Sequence, residues 1–313
     1  MPTFLEKTFS PRFFLVDLAP TAAAALFLTV LVWAGAPGPD LSLTRAARTA
    51  ESLGVSGWAF LAVAVAVVAV LSHPLQLPLL RLLEGYWPRW LGWPAAAGRW
   101  RQDRVRRRLA RAAEIREPSS PADVVRAGQA GGRLLRRFPP ADQLRPTGFG
   151  NALAAMEDRA GRRYGWDAVV AWPRLYPVLT DRTRAIVDER RDALDTAARF
   201  TVTGALTAVV SVVLLARSGW WLTLALVPLA VAVLAYGAAV SAAVAYGEAV
   251  DAAFDLCRFD LLKALHLPLP ATMEEERKVA AALCDLWRQG IDPLLRYEHE
   301  QPAAASPENP PGG

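Results

Sequence analysis

Cysteine, histidine and lysine are scarce in this chain of 313 residues. It has two cysteines, Cys257 and Cys284, and three histidines, and arginine supplies all but three of its 35 basic residues. The cysteines lie in apolar, helix-like surroundings without CxxC spacing, and the chain contains no HExxH, GxSxG, P-loop or DxD motif. We therefore predict buried thiols rather than a disulfide framework or a zinc site. The sequence indicates no catalytic residue, no cofactor and no metal ligand.

Long apolar runs are abundant in the chain. Hydrophobic residues make up 53% of it and charged residues 21%, and the mean hydropathy is +0.20, so the two kinds of residue must be segregated. A helix needs about 20 residues to cross a bilayer. The composition predicts an all-α polytopic membrane protein, with four transmembrane helices in two hairpins, from the runs Phe13 to Ala34, Trp58 to Leu71, Phe200 to Leu215 and Trp220 to Tyr246. Pro37 follows the small residues that end the first run, which favours an uncleaved anchor over a signal peptide.

The positions of the arginines predict the orientation of the spans. Arginines are concentrated after the second run, whereas the connections 36–57 and 216–219 carry few of them. Cytoplasmic connections are enriched in Lys and Arg. We therefore expect residues 85–197 and both termini in the cytoplasm of a bacterial cell, with the protein in the inner membrane.

Tryptophan and arginine cluster directly after the second run. The tryptophans Trp87, Trp90, Trp93 and Trp100 are typical of the headgroup region. The helical pattern from Gly98 to Arg116 carries most of a basic patch that we predict to face anionic lipid: Arg99, Arg101, Arg104, Arg106, Arg107, Arg108 and Arg111. Aromatic and basic residues also bind single-stranded nucleic acid, but the position beside a span favours lipid. The Pro-, Ser- and Gly-rich stretch 117–132 predicts a loop.

The segment "PTGFGNALAAMEDRAGRRYGWDAVVAWPRLYP", residues 146–177, contains a glycine pair that superficially suggests a dinucleotide loop. The fingerprint needs a preceding strand and a third small residue, where Leu153 stands. A helix capped by Thr147, with Phe149 and Leu153 on its apolar stripe and Gly165 as its stop signal, fits better. We expect the short apolar stretch 168–172 to pack against this helix through Trp172.

This segment, together with "YGEAVDAAFDLCRFDLLKALHLPLPATMEEER" at 246–277, resembles a family of bacterial, mainly actinobacterial, hypothetical membrane proteins with the motif GN-L-A-ED…YG-D-VV-WPRL. The likeness extends from residue 71 to residue 277. It implies a shared architecture, and it implies no activity and no functional residue.

Two long helices follow from the second half of the chain. The charged sequence after Thr180 runs into the third span without Pro or Gly, which predicts one helix of 35 residues to Leu215. If the fourth span returns antiparallel from a turn near Ser218, its acidic stripe, Glu248, Asp251 and Asp255, should pair with arginines of the first long helix. The predicted domains are a first hairpin (1–84), a basic helix with a helical module (85–180), a long-helix hairpin (181–267), a C-terminal helix (268–300) and a disordered tail (301–313).

For function, these features favour a non-enzymatic, membrane-anchored interaction or sensory component. A pore or transport protein is one alternative, since the spans contain threonine and serine. An interfacial membrane hydrolase using Glu157, Asp158 and Asp167 is another. The sequence leaves the protein partner and the oligomeric state open.

Overall fold

The computed structural model describes residues 19–115, 120–291, 293 and 295–298, without the side chains of 68–77. The regular structure of this part of the chain is entirely helical, as predicted. The α-helices are α1 (Ala19–Ala34), α2 (Leu43–Ser52), α3 (Val55–Leu83), α4 (Gly92–Ala113), α5 (Pro121–Arg137), α6 (Gly148–Arg159), α7 (Ala168–Leu175), α8 (Asp181–Leu215), α9 (Leu226–Ala264) and α10 (Met273–Gln289). The predicted tail, 301–313, and the start of the first predicted span, 13–18, lie outside the described residues.

Helices α8 and α9 are the two longest elements. They contain 35 and 39 residues, and α8 is therefore about 52 Å long at 1.5 Å per residue. Both are long and apolar enough to cross a membrane, α9 together with the 3₁₀ helix Gly219–Ala225. Helix α2 and Val55–Val67 of α3 also qualify as a pair, but they are bent by 109°. The described residues thus contain two, or up to three, candidate spans where the sequence predicted four.

The described residues form two compact units. The first contains the described part of Met1–Met156 with Ala185–Ala249, and the second contains Glu157–Arg184 with the described part of Val250–Gly313. The domain boundaries predicted from the sequence remain predictions.

In the first unit, α8 and α9 pack in the antiparallel register expected from a turn near Ser218. A Cβ atom at Gly204 would lie 3.1 Å from the carbonyl oxygen of Pro228 and 3.1 Å from the nitrogen of Ala232. Leu194 and Ala239 belong to one buried core. Glycine at 204 therefore permits the close approach of the two helices.

Helix α1 packs against this helix pair at the end of α8. Leu31 and Ala34 of α1 form a buried cluster with Leu215 at the end of α8. The hydroxyl of Ser218 donates to the carbonyl of Gly38 at 2.8 Å. The turn after α8 is thus tied to the turn after α1.

The glycine pair at the start of α6 is explained by close packing. The amides of Gly148 and Phe149 donate to the hydroxyl of Tyr236 at 2.8 and 3.4 Å, and the Gly150 amide donates to the Thr147 hydroxyl at 3.0 Å, which confirms the predicted cap. A side chain at Gly150 would collide with the carbonyl of Glu84. These residues fix α6 in the first unit, and a dinucleotide loop is not formed.

Two local predictions are corrected. Helix α6 ends at Arg159, before Gly165, because Gly161 adopts φ +71° and turns the chain first. The predicted loop 117–132 contains most of α5. Trp172 packs against Phe254, with ring centroids 6.2 Å apart, and its predicted contact with α6 stays a prediction.

The start of α5 shows why this loop prediction was wrong. Ser120 accepts from the amide of Asp123, and the Asp123 carboxylate accepts from the amide of Ser120, which forms a capping box. Pro121 occupies the first helical position, where its missing N–H has no cost. The proline and serine that suggested a loop are helix-starting residues here, and α5 packs against α4.

Candidate membrane-interface site

One face of α4 carries a continuous stripe of exposed aromatic and basic side chains. Trp93, Trp100, Arg104, Arg107 and Arg111 follow each other at spacings of seven, four, three and four residues, which places them on one side of the helix. All five are exposed. We call this set the Trp–Arg face.

The opposite side of α4 is packed against the rest of the first unit. Ala95 is 7% exposed, and a Cβ atom at Gly98 would lie 2.8 Å from the carbonyl oxygen of Pro146. Small residues on this side let α4 lie close to the chain before α6. The Trp–Arg face is consequently turned outward.

Of the four predicted interfacial tryptophans, three expose their rings. Trp90, Trp93 and Trp100 are 78%, 80% and 61% exposed. Trp87 is instead half-buried, and its indole N–H donates to the carbonyl of Leu82 at 2.7 Å. It therefore anchors the segment after α3 rather than extending the exposed surface.

Of the seven predicted basic residues, six are exposed, whereas Arg106 is half-buried. Arg106 and Arg107 both bind the carboxylate of Asp103, at 3.2 and 2.6 Å. The hydrogen bond from Arg107 is the main cause of a lowered pKa for Asp103, which keeps this carboxylate ionised. Asp103 therefore offsets part of the positive charge, an effect that counting arginines in the sequence missed.

The guanidinium of Arg104, which does not bind Asp103, lies beside an aromatic ring. The guanidinium of Arg104 stands 4.4 Å from the centroid of Trp100, within the range of a cation–π interaction. Arg104, Arg107, Arg108 and Arg111 line a cleft with Trp100 and Asp103. Because Arg107 already binds Asp103, the cleft can accept an anionic group among the other three guanidinium side chains, with an apolar ring at one end.

No family model, curated protein or solved structure matches the chain. The resemblance noted from the sequence therefore stays an expectation, and the contacts within the chain supply the functional argument.

The second unit is held together by a buried ion pair. Arg258 donates from Nε to a carboxylate oxygen of Glu276 at 2.7 Å, and Glu276 is 3% exposed. The Arg258 guanidinium also lies 3.9 Å from the Tyr164 ring and 4.3 Å from the Phe259 ring. This pair joins α10 to the end of α9.

A second set of contacts fixes the other end of α10. Trp287 stacks on Trp166, with centroids 6.0 Å apart and planes at 16°, and Arg288 pairs with Asp167. Cys284 is buried and accepts from the amide of Asp167 at 3.3 Å. Burial is the main cause that raises the pKa of the Cys284 thiol to about 11, so this thiol is protonated at neutral pH.

Each carboxylate in the acidic stripe of α9 has a partner outside α8. Glu248 pairs with Arg136 of α5 at 3.4 Å, and Asp251 pairs with Arg159 of α6. Asp255 accepts from the hydroxyl of Tyr164 at 2.8 Å. Pairing with arginine was thus right for Glu248 and Asp251, but their partners lie on α5 and α6. Arg184 of α8 instead donates to carbonyls of the segment before α8.

Two of the three carboxylates considered for a hydrolase, Asp158 and Asp167, serve local structure. Asp158 holds Arg162 at 2.6 Å. Asp167 caps α7 by accepting from the amide of Val169 at 2.9 Å, in addition to its ion pair with Arg288. These contacts account for both carboxylates without a reaction.

Four hydroxyl groups of the candidate spans bind their own helices. Thr201, Thr207 and Ser211 of α8 each donate to the carbonyl four residues earlier, at 2.8, 2.7 and 2.6 Å. Ser241 of α9 does the same at 3.1 Å. These contacts favour helix packing over a polar path through the membrane.

Proposed function

We propose that this chain is a bacterial inner-membrane protein with four spans in two hairpins and both termini in the cytoplasm, and that it acts as a membrane-anchored interaction or sensory component. In this proposal the Trp–Arg face binds anionic lipid of the inner leaflet. The second unit serves as the cytoplasmic helical part that meets a partner.

The Trp–Arg face is the observation that carries the proposal. Its tryptophans occupy the N-terminal half of α4, next to α3, and its arginines occupy the C-terminal half. Indole rings favour the headgroup region, and each basic residue near an anionic surface contributes about 1 kcal/mol. An exposed stripe in this order suits a helix that lies along the cytoplasmic surface and leaves its ring-bearing end deepest.

The lengths of α8 and α9 support the second part of the proposal. A span needs about 20 residues, so each helix has a substantial remainder outside the bilayer. These remainders run without a break into the residues of the second unit. A continuous helix connects a membrane segment to an internally fixed helical unit, which suits a component that relays or anchors contacts.

Anionic lipid binding can be tested on the full-length protein in nanodiscs. The double substitution Arg104→Gln and Arg111→Gln, at two arginines of the Trp–Arg face, should lower the amount of phosphatidylglycerol that copurifies with the protein and weaken its dependence on salt. Arg133→Gln with Arg137→Gln, two exposed arginines of α5, is the control of equal charge change. Equal lipid loss in both variants would reduce the effect to net charge and remove the specific role of the Trp–Arg face.

The interaction role needs a separate test in native membranes. A photocrosslinking amino acid at Val169 or Leu256, which are 63% and 70% exposed in the second unit, should give discrete protein adducts. The same amino acid at Val213 of α8, which is 69% exposed, should give lipid adducts. Failure of both second-unit positions to crosslink any protein would contradict an interaction role.

A further inference from the structure

The first unit contains an apolar cavity between α1, α8 and α9. Its volume is about 150 Å³. The walls come from all three helices and include Ala23, Ala24, Phe27, Phe200, Gly204 and Val231. The cavity therefore lies within the apolar parts of α8 and α9 that we propose to cross the membrane.

Small residues create this space. Alanine at 23 and 24 leaves the α1 wall without bulk, and Gly204 brings α8 into contact with α9 near Pro228. Two phenylalanine rings, Phe27 and Phe200, contribute the larger walls. The helices thus touch beside the cavity without filling it.

The hydroxyl of Thr207, which lines the cavity, is already engaged. It donates to the carbonyl of Thr203 at 2.7 Å, and no charged side chain lines the cavity within the described residues. A buried water needs two to four polar partners, and an apolar cavity of about 150 Å³ stays dry and accepts an apolar guest. The lining thus selects hydrocarbon over water.

We propose that this cavity holds part of one acyl chain of a bilayer lipid. The inference rests on the proposed membrane setting, because only there is hydrocarbon the surrounding solvent. Lipid tails are as apolar as the walls, so the chain gains little from leaving the bilayer. Its stabilisation comes from the van der Waals contacts that an empty space would lack, and this predicts a site that recognises chain shape rather than headgroup.

The test uses the full-length protein in liposomes that contain phosphatidylcholine with a diazirine on the acyl chain. Irradiation and peptide mass spectrometry should place the label on lining residues of all three walls, including Phe27 and Val231. Thr203→Phe projects a ring into the cavity and should abolish this labelling. Leu206→Phe, at a position of the same helix that is 48% exposed and does not line the cavity, should leave it intact.

The possible results distinguish a failure of the cavity proposal from a failure of the proposed membrane setting. Label spread evenly over the exposed faces of the helices, or unaffected by both Thr203→Phe and a second filling variant, Ala23→Phe, overturns the cavity proposal alone. An absence of label from all of α8 and α9, including the surroundings of Leu206, overturns the membrane setting itself.

Discussion

Replacing Glu276 by alanine should release α10 from the second unit. The carboxylate is 3% exposed and lies 2.7 Å from Arg258. The arginine side chain is itself 15% exposed. After the substitution a guanidinium group would remain largely buried, without its carboxylate.

The magnitude follows from this burial. Removing one partner of a buried ion pair costs about 3–5 kcal/mol, because the remaining charge is desolvated without compensation. The matched control is Glu274→Ala on the same helix, since Glu274 and its partner Lys278 are 78% and 73% exposed. An exposed pair contributes only about 0–1 kcal/mol. The two substitutions thus remove the same charge from α10 with very different expected costs.

Hydrogen exchange measured by mass spectrometry reports this difference. A change of 1.4 kcal/mol is tenfold in an equilibrium constant, so Glu276→Ala should speed the exchange of α10 amides roughly a hundredfold or more where exchange follows local opening. Glu274→Ala should change it less than about fivefold. The purified protein in nanodiscs is the sample for both variants.

Similar exchange in the two variants would refute the reasoning. A further variant, Arg258→Met with Glu276→Leu, checks its physical basis, because replacing a whole buried pair by apolar side chains is often neutral. Protection should largely return in this double variant. If it stays as low as in Glu276→Ala, the loss comes from packing at this position and not from the stranded charge.

Three other outcomes are expected. A cysteine at Gly128 should resist impermeant thiol reagents in intact cells, while a cysteine at Thr44 reacts. Both positions are exposed in the structure, so protection reports the side of the membrane; the neighbouring residue 130 is buried and would be protected on either side. Tyr164→Phe should lower the free energy of unfolding by about 1.5–3 kcal/mol. The hydrogen bond to the Asp255 carboxylate raises the Tyr164 pKa above 10.0, so its stabilisation is present below pH 10 and lost as the pH rises through the raised pKa. Thermal melts across this pH range should show the loss only in the wild type. Gly150→Ala should lower the melting temperature through its collision with a carbonyl at the end of α3, whereas Gly237→Ala, with nothing within 4 Å, should leave it unchanged or slightly raised.

The sequence alone determined the long helices and the chemistry of the Trp–Arg face. An uninterrupted run from Asp181 to Leu215 predicts a helix because local propensity and the absence of proline act residue by residue. The antiparallel register of α8 and α9 followed from the turn near Ser218, since equal rise places Gly204 opposite Ala232, and these two residues lie in close contact. The clustering of tryptophans and arginines in and before α4 was likewise evident from the sequence, whereas the half-buried positions of Trp87 and Arg106 were not.

Only the tertiary structure decided which groups meet across long sequence separations. Asp251 binds Arg159 and Glu276 binds Arg258 because short helices and α10 pack against α9, and no local pattern encodes that approach. The cavity lined by Thr203 and Thr207 was also not predictable from the sequence, because its shape depends on how three helices pack together. Periodicity shows which face of a helix is apolar or charged, whereas the partner of that face depends on packing among distant segments.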